Sequence, residues 1–171
     1  MTISQQGLRV LARTFPAWAE RIALDRFARP RRVQQPVPDV AAGWSAHRFW
    51  VPFPGGALRA WTWGQGPAVV LAHGWSGNAA QMTGFIAPLL EAGYRVVAFD
   101  QPAHGFSRGR RADLLSFTQA LETVSGHVGQ VQGVIAHSLG ATAAALATHR
   151  GLDLRGLVLI APPVELPGHV F

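Results

Sequence analysis

"VQGVIAHSLG", residues 131–140, decides how this chain is read. Small and branched apolar residues run from Val131 to Ala136 and end abruptly on His137, Ser138, Leu139 and Gly140. A short, almost uniformly apolar run is the signature of a strand buried on both faces. The stretch that follows, "LGATAAALATHR" (139–150), is alanine-rich and reads as a helix able to lie close to a sheet. Ser138 therefore stands where a strand turns sharply into a helix. Such a turn holds the hydroxyl above the sheet and demands small residues two positions before and after, here Ala136 and Gly140. The helix dipole would favour negative charge developing there. The plainer alternative is a serine that only caps the helix.

Working outward, "AVVLAHG", "YRVVAFD" and "LRGLVLIAPP" repeat the buried-strand pattern, and helical stretches are expected near 78–91, 113–129 and 139–150, with Gly93 closing the first. Alternation of strand and helix predicts a parallel sheet with right-handed crossovers and helices on both faces. "HRFWVPF" and "ALRAWTWG" flank Pro54-Gly55-Gly56 and predict an N-terminal antiparallel hairpin. The fold class is α/β, with a mostly parallel sheet.

In such sheets ligands bind beyond the carboxyl ends of the strands. His73-Gly74-Trp75, Asp100 through Ser107, and His137-Ser138-Leu139-Gly140 all fall at such ends. Together these pieces resemble an α/β-hydrolase. Asp100-Gln-Pro-Ala-His104-Gly105-Phe-Ser107 is similar to the family's D-x-x-G-H-G-x-S loop, and Ala136-His-Ser-Leu-Gly140 to its G-x-S-x-G nucleophile elbow. Ala136 and Ala103 depart from the pattern, each standing where glycine is usual.

The resemblance implies that Ser138 is the nucleophile in hydrolysis of carboxylic esters or thioesters, a small-molecule acyl substrate. No cofactor is expected, and no metal, since no His/Asp/Glu cluster has ligand spacing and there are no thiols. The resemblance also implies an oxyanion hole from the amides of Trp75 and Leu139. His73, Gly74, Asp100, His104 and Gly105 would shape the neighbouring loops, and Ala136, His137 and Gly140 the turn, the His137 ring packing there and pointing away from the hydroxyl. Glu165 is a candidate catalytic acid beside the plainer reading of a solvated carboxylate, and His169 lies too close behind it to serve as base. The family's base follows an eighth strand and its acid usually a seventh, whereas this chain stops after the sixth, so an incomplete, truncated hydrolase fold is expected. Its last strand would then be an apolar edge open to self-association. A non-catalytic hydrolase-like binding module is the alternative.

Composition narrows the field further. The 171 residues hold no cysteine and no lysine, which excludes disulfides, thiolate sites, P-loop lysines and Schiff bases. The net charge of +6 is concentrated: eight arginines against Glu20, Asp25 and Asp39 give +5 between Met1 and Arg48. The body lacks a basic surface, so nucleic acid is not an expected partner. No run is long enough to span a bilayer and no secretory signal is evident, so a cytoplasmic protein is expected. Residues 1–29 place Leu8, Leu11, Phe15, Trp18 and Ile22 along one helical face, interrupted by Pro16. This arm is a candidate for packing on its own domain, docking a partner or contacting a membrane surface. Residues 30–45, with Pro30, Pro36 and Pro38, read as an extended linker, and 46–171 as the N-terminal part of the hydrolase domain.

Overall fold

A computed structural model describes residues 4–38 and 44–163. In chain order the elements are α1 (Gln5–Thr14), α2 (Pro16–Phe27), β1 (His47–Phe53), β2 (Gly56–Trp63), β3 (Ala68–Ala72), a 3-10 helix (Ala79–Phe85), α3 (Ile86–Glu91), β4 (Arg95–Phe99), α4 (Leu114–Val128), β5 (Val131–His137), α5 (Leu139–His149) and β6 (Gly156–Ile160). The six strands form one sheet in the order β1-β2-β4-β3-β5-β6. β1 and β2 pair antiparallel through the Pro54-Gly55 turn, β2 meets β4 antiparallel, and the remaining pairs are parallel.

Alternation along the central strands builds two cores. Val70 and Ala72 of β3 and Val97 and Phe99 of β4 pack with Leu121 and Val124 of α4 and Ala141, Ala144 and Ala147 of α5. Val69, Leu71, Val96 and Ala98 face the other way, onto Met82, Ile86 and Leu90. Every β3 residue is buried, as expected of a strand covered on both sides. At the sheet edge β6 leaves Val158 and Leu159 exposed.

Two local readings are refined. The expected helix over 78–91 divides into a 3-10 stretch and the short α3. Pro88 is tolerated there because first-turn amides have no intrahelical acceptor. α4 begins with a capping box, in which Asp113 accepts from the Ser116 amide and the Ser116 hydroxyl accepts from the Asp113 amide.

Pro16 opens α2, dividing the arm into two helices. The expected apolar stripe is only partly packed: Ile22 is half-buried, but Phe15 and Trp18 face outward. α2 instead docks through buried Ala19, through an Asp25–Arg111 ion pair, and through the Ala28 carbonyl, which accepts from the Ala112 amide at 2.8 Å. Residues 30–38 form no helix or strand, yet they are pinned to the body. The Arg31 amide donates to the Ser76 hydroxyl at 3.2 Å, Arg32 donates to the Ala103 and Gly109 carbonyls, and Asn78 donates to the Val33 carbonyl. No described helix is long and apolar enough to cross a membrane.

Candidate active site

The parallel strands end in backbone that side chains rarely adopt. Ser76 after β3, Ala103 after β4, Ser138 after β5 and Ala161 after β6 all have positive φ, between 47° and 64°. Left-handed conformations cost a non-glycine residue about 1–2 kcal/mol, and they cluster where a fold must aim a group. At Ser138, φ 53° and ψ −126° swing the chain from β5 into α5. Its side chain makes no capping hydrogen bond, so the hydroxyl is not spent on the helix terminus. Its amide donates to the Ile160 carbonyl at 2.9 Å, which ties the turn to β6.

Two glycines let the turn close. A Cβ on Gly140 would lie 2.4 Å from the His73 carbonyl oxygen, so only glycine allows α5 to start against the end of β3. A Cβ on Gly74 would lie 2.8 Å from the Cβ of Ser138. The His73–Gly77 turn and Ser138 are thus immediate neighbours. The Trp75 amide has no acceptor among the described residues, and Leu139 opens α5, where amides lack intrahelical acceptors.

His73 and His104 are fully buried and locked in place. His73 Nε2 accepts from the Gln101 amide at 2.9 Å, which leaves Nδ1–H to donate to the Gly74 carbonyl at 2.7 Å. His104 repeats the device, with Nε2 accepting from the Ser76 amide and Nδ1–H donating to the Pro102 carbonyl. Both ring nitrogens of each residue are therefore committed to backbone. Burial, reinforced by the proximity of His104, lowers the His73 pKa to about 3, and burial lowers that of His104 to about 4.

Asp100 anchors the same loops. Its carboxylate oxygens accept from the Ala79 and Phe106 amides, each at 2.7 Å. Burial pushes its pKa up to about 6 while those two donations hold it back. Gly105 has φ +46° and a Cβ there would overlap the Asp100 carboxylate. The Ser107 hydroxyl donates to the Asp100 carbonyl at 2.6 Å and accepts from the Arg59 amide.

His137 is exposed as a residue, and its ring Nδ1 lies against the 73–77 turn, 3.3 Å from where a Cβ on Gly74 would stand. No described histidine is hydrogen-bonded to Ser138. Ala136 is fully buried, as the turn requires. Glu165 and His169 lie outside the described residues. Among those that are described, no group of three or more His, Cys, Asp or Glu residues is disposed to hold a metal ion.

Sequence reasoning missed the aromatic stack over this loop. Trp75 lies between Phe27 of α2, 5.7 Å away at 9°, and Phe117 of α4, 6.0 Å away at 25°. Phe27 carried no signal beyond its place in an amphipathic arm. Nor did the contacts of Arg32 across the strand ends announce themselves, since the signal there was only a proline-flanked basic pair.

The strand order, the helices on both faces and the strained turns at the parallel strand ends define an α/β-hydrolase fold. More narrowly, the chain belongs to the family described as serine aminopeptidase, S33, which matches residues 66–170. It is similar to a pimeloyl-[acyl-carrier protein] methyl ester esterase of Shewanella sp. (strain MR-7), 33% identical over 109 residues, covering 64% of this chain and 34% of the relative. A serine hydrolase-like protein of Danio rerio is 40% identical over 68 residues, covering 39% of this chain and 21% of that protein. Among solved structures, an esterase from Pyrococcus furiosus superposes with a TM-score of 0.72 at 24% identity, covering 81% of this chain and 59% of that one. The chain thus spans between about a fifth and a third of the length of the curated relatives it matches.

Proposed function

We propose that this chain carries the nucleophile and oxyanion-binding half of a serine hydrolase acting on carboxylic esters or thioesters. Ser138 Oγ attacks the acyl carbonyl, and the amides of Trp75 and Leu139 receive the oxyanion. A base takes the Ser138 hydroxyl proton during attack; collapse of the tetrahedral adduct returns that proton to the departing alcohol or thiol and leaves an acyl group on Ser138, which water then removes. The observation that supports this best is the turn itself: a left-handed, uncapped serine between β5 and α5, pressed against Gly74. The esterase relatives agree with an acyl ester substrate.

A serine hydroxyl needs a base, and His73 and His104 have no ring nitrogen to offer. That same observation favours the second reading, a non-catalytic module that keeps the pocket for binding. Exposure to a fluorophosphonate, followed by peptide mass mapping, tests the first. A single adduct on Ser138, absent from Ser138→Ala, is expected; no adduct at Ser138 overturns it. Turnover of an activated p-nitrophenyl ester no faster than the Ser138→Ala control selects the binding module.

A further inference from the structure

The arm offers a surface that the hydrolase reading leaves unused. Phe15 is 60% exposed and Trp18 is 68% exposed, although sequence periodicity places both on the stripe that a packed helix would bury. Val10 of α1 and Leu24 of α2 are exposed as well. α2 is tied down through Ala19, the Asp25–Arg111 pair and the Ala28–Ala112 hydrogen bond, and Trp18 lines the same groove as Asp25 and Arg111. The exposed aromatic side chains are therefore presented by a docked helix, not by a free tail.

Charge says what kind of surface it suits. Residues 4–38 carry seven arginines against Glu20 and Asp25, and the side chains of Arg13, Arg21 and Arg31 are exposed. Trp18, Arg21 and Leu24 also border a groove of about 980 Å³ between α2 and the start of α4. Aromatic and aliphatic side chains flanked by arginine match the boundary between phosphate headgroups and acyl chains. A neutral apolar partner would gain nothing from the arginines, and a second copy of this basic arm would be repelled by them.

We propose that α1 and α2 form an interfacial anchor that seats the protein on an anionic phospholipid surface. Phe15 and Trp18 enter the headgroup boundary while Arg13, Arg21 and Arg31 engage the lipid phosphates. The anchor does not depend on Ser138 chemistry, and its test reads binding alone.

Co-sedimentation of the full chain with vesicles decides it. The chain pellets with phosphatidylcholine vesicles holding about a third phosphatidylglycerol and stays in the supernatant with phosphatidylcholine alone. Salt near ~0.5 M releases it, because the Debye length then falls well below the span of the arm. A Phe15→Ser/Trp18→Ser variant partitions about tenfold less, and so does Arg13→Gln/Arg21→Gln. Both should keep the parent's urea midpoint, since the altered side chains are exposed. Absence of the chain from the anionic pellet, or undiminished pelleting of the serine variant, overturns the proposal. So does a dimer in lipid-free solution that the serine variant dissociates, since a second copy would then cover this face.

Discussion

The Cβ that Gly74 lacks would sit 2.8 Å from the Cβ of Ser138 and 3.1 Å from the His137 carbonyl oxygen. Two turns from different strands are thus in direct contact, with no slack between them. Gly74→Ala forces backbone apart in a close-packed region, which costs about 1–3 kcal/mol. The displaced turn carries the Trp75 amide away from Ser138. Fluorophosphonate labelling of Ser138 should slow by about tenfold or more, the loss expected when an oxyanion donor is misplaced. Unchanged labelling in a folded variant would show that the 73–77 turn takes no part in the reaction.

Asp100 holds that turn from the other side. Both carboxylate oxygens accept backbone N–H groups, one from the first residue of the 3-10 helix and one in the 100–107 loop. In Asp100→Asn the amide NH2 must face one of those donors, leaving a buried N–H unpaired at a cost of about 1–3 kcal/mol. The urea midpoint should fall accordingly, with no compensating change in slope. A neutral effect would mean that Ala79 or Phe106 finds another acceptor.

Acid should weaken the fold in a defined window. His73 and His104 have folded pKa values lowered from 6.5 to about 3 and about 4, so as pH falls below 6.5 they bind protons in the unfolded state first. Their contribution to stability is present above pH 6.5 and is lost as pH falls towards the folded values. Asp100 acts in the opposite sense, since its pKa is raised from 3.8 to about 6 and the folded state binds its proton first. Between pH 6 and 4 the two histidines outweigh the one carboxyl by a single proton. Unfolding free energy should therefore decrease by about 1.4 kcal/mol per pH unit on acidification below about pH 6.3. Urea titrations between pH 7 and 5, where ordinary carboxylates stay ionised in both states, read this directly. A flat or rising stability across that interval would contradict the neutral, clamped histidines.

These relationships differ in how far the sequence announced them. β3, β4 and β5 were legible because burial on both faces leaves only apolar residues, and Ser138 because a strand that ends on a hydroxyl between small residues leaves few other geometries. Asp100, His104 and Gly105 stood out by their place after a strand and their resemblance to the hydrolase family's loop, and the structure adds what each one grips. For the arm, periodicity identifies the apolar face of a helix but not what covers it, and Phe15 and Trp18 are exposed. The roles of Phe27 and Arg32 arise from contacts across 48 and 71 positions, which local pattern does not encode.

Ala103 tests how strictly the fold needs glycine at these turns. It has φ 64°, is 2% exposed, and packs with Ala112, Leu114, Phe117 and Ala143. Replacing it with glycine relieves about 1–2 kcal/mol of left-handed strain. Against that stand about 0.8 kcal/mol for the lost buried methyl and about 0.4–1 kcal/mol for the greater freedom of glycine in the unfolded chain. The effects nearly cancel, so Ala103→Gly should leave the urea midpoint within about 0.5 kcal/mol of the parent. Ala103→Val has no such balance, because a branched side chain at positive φ adds strain and crowds Phe117, and it should cost at least about 2 kcal/mol. A strongly stabilised glycine variant would mean that the left-handed strain at this turn outweighs the methyl's contacts.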